Sequence, residues 1–171
     1  MLIAMAGLPA SGKSAVARPL ATALSALLLD KDTVRTELFG DYVDYRRDQN
    51  DLVVDVMYQV CTYVLKQDPL AAVVLDGRTY SRRYQIDALA AAAQRANAPL
   101  KVIECVCSFE SALARLEADG AHPAADRDAN LYRASRAAAE PIEHPRLTID
   151  TDEHTPEQAV QLALEWLRSE R

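Results

Sequence analysis

Eight residues near the start of the chain, Gly7-Leu8-Pro9-Ala10-Ser11-Gly12-Lys13-Ser14, spell GxxxxGK[ST]. The apolar run Met1-Leu2-Ile3-Ala4-Met5-Ala6 leads directly into them, and helix-compatible residues from Ser14 to Arg18 follow. A buried strand, a glycine-bounded loop and a helix in that order constrain the fold strongly, because together they build a cradle for phosphate. Gly7 and Gly12 let the backbone curl until its N–H groups point inward, and the helix start adds partial positive charge. Such a loop holds a nucleoside triphosphate. Gly7 through Ser14, with Ala15 just inside the helix, would surround the phosphates, Lys13 would reach the β- and γ-phosphates, and Ser14 would ligate Mg²⁺.

The rest of the sequence alternates in period. Strand-like runs lie at Leu2–Ala6, Ala26–Leu29, Ala71–Leu75, Leu100–Cys107 and Arg146–Ile149. Between them, helical patterning covers Lys13–Leu24, Thr33–Phe39, Asp48–Lys66, Ser81–Ala96, Phe109–Ala118, Asn130–Glu140 and Pro156–Arg168. The third of these carries Leu52, Val53, Val56, Met57, Val60 and Val64 at helical spacing. Alternation of this kind predicts an α/β chain with a five-stranded parallel sheet covered by helices on both faces, a three-layer α/β/α sandwich. With 171 residues, half of them apolar, and no low-complexity tract or internal repeat, one domain spanning 1–171 is expected.

Ligands in such sheets bind beyond the carboxyl ends of the strands, and there the chemistry-bearing residues gather. Asp30-Lys31-Asp32-Thr33-Val34-Arg35 follows the second strand, and Asp76-Gly77-Arg78-Thr79-Tyr80-Ser81-Arg82-Arg83 follows the third. Phosphoryl transfer to a hydroxyl needs a carboxylate to take the proton and cations to hold the acceptor. Asp32 and Arg35, three apart, meet both needs if Asp32 caps or opens the helix at Thr33, although an N-cap Asp and a solvated Arg would read the same way. Asp76 closes the apolar run Val73-Val74-Leu75, where a carboxylate can hold a Mg²⁺-bound water or order the acceptor, while Asp-Gly also favours plain turns.

The phosphate loop followed by Asp30-Lys31-Asp32-Thr33-Val34-Arg35 resembles the small P-loop kinases of the polynucleotide kinase, adenylylsulfate kinase and zeta-toxin group, an AAA-type kinase-like family, over most of the chain. The resemblance implies the P-loop NTPase sandwich with a lid, and it implies that Asp32 is the catalytic base and Arg35 binds the acceptor. It also places Arg78, Arg82 and Arg83 near an anionic acceptor. It puts acceptor specificity in residues 39–68, where Tyr42, Tyr45 and Arg46 combine stacking surfaces with cations. A lid at about 115–133 is expected from the polar stretch 119–128, with the phosphate-facing arginine open between Arg115, Arg127 and Arg133. Arg115 is assigned to the donor nucleotide, and Arg127 joins Lys13, Asp32 and Arg35 in the catalytic set.

A net charge of −6 argues against a long nucleic-acid partner, because neutralising many phosphates needs a basic stripe. The first strand lacks a basic leader and no 18-residue apolar span exists, so a soluble, cytoplasmic chain without a membrane partner is expected. Cys61, Cys105 and Cys107 offer no zinc spacing and read as core residues. The reading is an ATP- and Mg²⁺-dependent kinase of a small metabolite or nucleotide-like hydroxyl acceptor. A polynucleotide 5′-hydroxyl kinase and a regulatory nucleotide-binding ATPase are the alternatives.

Overall fold

Strand β1, Leu2–Ala6, is buried at all five residues and forms the middle of a sheet ordered β2-β3-β1-β4-β5. The computed structural model describes residues 1–118 and 129–169. The other strands are β2 (Leu27–Asp30), β3 (Val73–Asp76), β4 (Leu100–Val106) and β5 (Arg146–Asp150), and every pairing is parallel. Side chains alternate along β1 as a strand requires: Leu2, Ala4 and Ala6 join one core and Ile3 and Met5 the other.

Helices α1 (Lys13–Ala23) and α7 (Pro156–Ser169) cover the second core. Ala17, Leu20 and Ala21 of α1 lie buried there with Ala159, Ala163 and Leu167 of α7, and the small side chains let the two helices approach closely. The first core takes α3 (Arg47–Gln67) through Val53, Val54, Met57, Cys61 and Leu65, and α4 (Arg83–Ala96) through Leu89, Ala92, Ala93 and Ala96. Helices α2 (Lys31–Phe39), α5 (Phe109–Ala118) and α6 (Ala129–Ala137) complete the chain, with a 3₁₀ turn at Gly40–Tyr42. No helix among the described residues is long and apolar enough to cross a membrane.

Element boundaries shift where they matter. β2 and β3 run on to Asp30 and Asp76, which face each other in register. Helix α2 begins at Lys31 and not Thr33, because the cap is Asp30: its Oδ1 accepts from the N–H of Asp32 at 2.9 Å and of Thr33 at 3.1 Å. Helix α4 begins at Arg83 and not Ser81, since Gly77 (φ 90°) and Tyr80 (φ 50°) bend the preceding turn through left-handed conformations. Helix α6 stops at Ala137, short of Glu140 and of Pro141, which could not continue it.

Candidate active site

The loop between β1 and α1 curls as its glycines predict. Gly7 has φ 130°, and a Cβ there would lie 2.2 Å from the Cys105 carbonyl oxygen, so only hydrogen fits. Gly12, at φ 83°, caps α1 without a side chain. Lys13 is buried, and its ammonium donates to the carbonyls of Gly7 (2.9 Å) and Leu8 (2.7 Å), which holds it inside the curl. One expectation is corrected. The Gly7 N–H does not point inward, because it donates to the Thr79 carbonyl at 2.9 Å in the turn after β3. Ser14 and Ala15 lie exposed in the first turn of α1, and Ala15 N–H turns back to Gly12 O at 3.1 Å. Pro9 and Ser11 are buried, and Ser11 Oγ has no hydrogen-bond partner among the described residues.

Asp76 is 1% exposed, and neither of its carboxylate oxygens meets a hydrogen-bond donor among the described residues. A buried carboxylate without donors is costly, so its environment is built for something that supplies positive charge. Mg²⁺ fits that demand, since it takes hard oxygen ligands and is held by one or two carboxylates together with substrate phosphates. Ser14 and Asp76 are the residues that would serve it. The described residues hold no cluster of three or more His, Cys, Asp or Glu that would bind a metal unaided.

Helix α2 builds the second group. Arg35 NH1 donates to Asp32 Oδ1 at 2.5 Å, and NH2 donates to Asn50 Oδ1 on α3. Arg35 is 1% exposed, so the alternative of a solvated surface charge does not hold. Its guanidinium also lies 4.8 Å from the Tyr45 ring centroid. Asn50 ties this group together: its Oδ1 also accepts from Lys31 Nζ (3.1 Å), and its Nδ2 donates to the carbonyls of Tyr45 (2.7 Å) and Arg46 (2.9 Å). Sequence reasoning missed Asn50. The available signal was a polar residue in the first turn of a long amphipathic helix whose apolar stripe starts only at Leu52.

The remaining candidates disperse. Arg78 NH2 donates to Asp51 Oδ1 at 2.8 Å, and Arg47 approaches the same carboxylate at 3.6 Å. Both guanidiniums lie over the Tyr84 ring, at 5.3 Å for Arg47 and 5.8 Å for Arg78. Arg46 pairs with Asp44, Tyr42 is 86% exposed, and Arg82 is half-buried ahead of α4. Arg83 turns to Glu143 at 3.1 Å. Arg115 ties the phosphate loop to the turn after β5: it donates to Ala10 O (3.2 Å), Thr151 Oγ1 (2.9 Å), Thr151 O (3.0 Å) and Asp152 Oδ1 (3.2 Å). Hydrogen bonding from the Ser108 side chain, and then from its N–H at 2.7 Å, holds the Asp152 carboxyl below its ordinary range, with Arg115 assisting. Arg133 reaches Asn130 and the Phe109 ring, while Arg127 and the stretch 119–128 lie outside the described residues. Cys61 and Cys105 are core residues, and burial pushes the Cys105 thiol up to about 11. Cys107 is not one: it is half-buried, with Sγ 3.9 Å from Ala10 O.

A cavity of about 200 Å³ opens beside the loop, between Gly7, Leu8 and Ser11 on one side and Tyr132, Arg136 and Glu140 on the other. Thr79, Ser81, Glu104, Cys105 and Cys107 add to its wall. None of the residues 39–68 lines it, and neither do Asp32 and Arg35.

The model of the AAA domain family matches residues 2–142. No curated protein matches the sequence. Among solved structures, a candidate kinase from Chloroflexus aurantiacus superposes with a TM-score of 0.79 at 24% identity, covering 98% of this chain and 96% of that one. The APS kinase CysC of Mycobacterium tuberculosis, in complex with AMPPNP and APS, gives 0.72 at 20% identity over 98% and 96%. Kti12 of Chaetomium thermophilum, in complex with ADP-AlF3, gives 0.66 at 17% over 96% and 98%. The fold is that of the small P-loop kinases.

Proposed function

The chain belongs to the AAA domain family, and from its fold and strand-end geometry we propose that it is an ATP- and Mg²⁺-dependent kinase phosphorylating a hydroxyl of a small-molecule acceptor. The Asp32–Arg35 pair carries the reading. It stands on the same sheet edge as the phosphate loop, and contacts link the two. Arg18 of α1 holds Asp30 at 2.9 Å, a Cβ on Gly77 would lie 2.7 Å from Lys31 Cβ, and Thr79 O receives the Gly7 N–H. A water-consuming switch has no need of a carboxylate fixed this firmly on the acceptor side.

In the proposed reaction the acceptor oxygen forms the new bond to the γ-phosphorus. The bond from that phosphorus to the β,γ-bridging oxygen breaks with its electron pair left on ADP, and the acceptor proton passes to the Asp32 carboxylate. Arg35 engages Oδ1, and among the described residues nothing donates to Oδ2, the oxygen that would take the proton. Lys13 would hold the β- and γ-phosphates, and Arg115 would brace the loop toward the nucleotide. Bound Mg²⁺, held by Ser14 and Asp76, would neutralise charge on the phosphates.

The test is Asp32→Asn, assayed for ADP release against a hydroxylated-metabolite library and for nucleotide affinity by titration. The expected result is unchanged ATP affinity with acceptor-stimulated turnover reduced at least a hundredfold. Retained transfer would remove Asp32 as the base. Turnover that no acceptor stimulates would favour the regulatory ATPase, and stimulation by 5′-hydroxyl oligonucleotides alone would favour the polynucleotide kinase.

A further inference from the structure

Helix α3 carries apolar side chains on two faces. Val53, Val54, Met57, Cys61 and Leu65 lie in the core against the sheet, which accounts for the first face. Leu52, Val56, Val60 and Tyr63 follow one another at spacings of four, four and three residues, so they form a second stripe along about 16 Å of the helix. That stripe is open: Leu52 is 51% exposed, Val60 38% and Tyr63 67%, with Val56 half-buried. A surface helix turns polar side chains outward, and a helix apolar on both faces belongs where both are covered. Helix formation does not call for these residues either, because valine and tyrosine are weaker helix formers than alanine, glutamate, lysine or glutamine.

The charges beside the stripe select what covers it. Helical spacing sets Asp48, Asp55, Gln59 and Lys66 along one of its edges, and all four are exposed. Asp48 stands in the first turn of α3 and Lys66 in the last, and neither has an ion-pair partner among the described residues. With two carboxylates to one cation, the edge is ill suited to an anionic lipid surface. It is suited to itself in reverse. A second copy of α3 laid antiparallel puts Leu52 against Tyr63, Val56 against Val60 and Asp48 beside Lys66, each contact occurring twice about a two-fold axis. Asp55 then meets Gln59 and not another carboxylate, so no like charges oppose along that edge. The helix dipoles also run in opposite directions.

We infer that the outer face of α3 is a self-association surface, on which a second copy of this chain docks its own α3 antiparallel, with the two-fold axis passing between Val56 and Val60. Two helices meeting over three turns make a small interface, so the dimer is a weak one, with a dissociation constant on the order of 10 µM. The pairing is independent of the kinase reading and stands or falls without it.

Sedimentation velocity of the full chain, from about 1 to about 300 µM at low salt, should show the mass rising from one chain to two. Val60→Glu and Tyr63→Ser should each weaken association at least tenfold. The charged edge supplies the sharper test. Asp48→Lys alone and Lys66→Asp alone each oppose like charges and should weaken the dimer at least threefold, less so at high salt, whereas the two substitutions together should recover most of the loss. All four positions are on the surface, and melting curves of each variant confirm that it is folded. A chain that stays monomeric throughout overturns the inference. So does a dimer indifferent to Val60→Glu, which would be built on another surface, or a double variant no better than the two single ones, which would exclude the antiparallel pairing.

Discussion

Replacing Asp76 by alanine should make the protein more stable and less able to bind Mg²⁺-nucleotide. Asp76 ends β3 at 1% exposure with both oxygens unpartnered among the described residues. An unsatisfied buried polar group costs about 1–3 kcal/mol, more when charged. Two effects subtract from the gain on removing it: alanine leaves a small cavity, and Asp76 and Lys13 both act electrostatically on Cys105, so their charges are close enough to attract. The net expectation is a gain of about 1–2 kcal/mol, or roughly 2–8 °C in Tm for a chain of this size. Differential scanning fluorimetry of the ligand-free protein measures it. The same scan with ATP and Mg²⁺ should show the opposite, the ligand-induced rise in Tm falling by at least half in Asp76→Ala. The signs must differ if the carboxylate is kept for a cation at the expense of stability. A lower Tm for ligand-free Asp76→Ala, with an unchanged Mg²⁺-nucleotide shift, would refute the reasoning and make Asp76 an ordinary core residue.

Gly7→Ala would set a Cβ 2.2 Å from Cys105 O at φ 130°, so the loop must move. A loss of about 2–4 kcal/mol in urea unfolding is expected, with nucleotide affinity falling more than tenfold. Arg35→Lys keeps the charge but cannot hold both Asp32 and Asn50 in one plane; stability should drop by about 1–3 kcal/mol, and the acceptor KM should rise while nucleotide affinity holds. Burial raises the Cys105 thiol from 9.0 to about 11, so its contribution to stability is full below pH 9 and is lost as pH rises towards 11. Urea midpoints measured from pH 8 to pH 11 should fall by more in the parent than in Cys105→Ala, by about 2 kcal/mol.

What the sequence disclosed was what depends on neighbours along the chain. The phosphate loop, its strand and its helix are encoded within Leu2–Ala23, and the alternation of periods locates every strand of the sheet. Asp30 and Asp32 stand two apart and are equally good caps by residue type, so the local pattern could not choose. The choice is made by the sheet: pairing with β3 runs on to Asp30 opposite Asp76, which fixes the helix start at Lys31 and frees the Asp32 side chain for Arg35. The alternative of a solvated Arg35 stays open in the sequence for a similar reason, because its burial is created by Asn50 and Tyr45, fifteen and ten residues away on another arm. Glu140 was least legible, since it enters the cavity from the segment after α6 and meets Arg83 across fifty-seven residues.

Those long-range contacts converge on the turn Gly77–Tyr80. Gly77 (φ 90°) packs against Lys31, Arg78 holds Asp51 at the start of α3, Thr79 O receives the Gly7 N–H, and Tyr80 is buried at φ 50°. A buried aromatic residue in the left-handed region costs on the order of 1–3 kcal/mol and persists only where the surroundings over-determine it. Here they do: one neighbour of Tyr80 is fastened to the phosphate loop, and Ser81 O takes the Glu140 N–H at 2.9 Å on the far wall of the cavity. The turn therefore touches the phosphate loop, the arm carrying Asp32 and the wall of the cavity beside the loop. Relaxing it, as by Tyr80→Gly, removes the strain but also the buried ring. The donor and acceptor halves should then lose their fixed relation, with kcat falling while nucleotide affinity and acceptor KM change less. Equal losses in all three would mean that the turn serves folding alone.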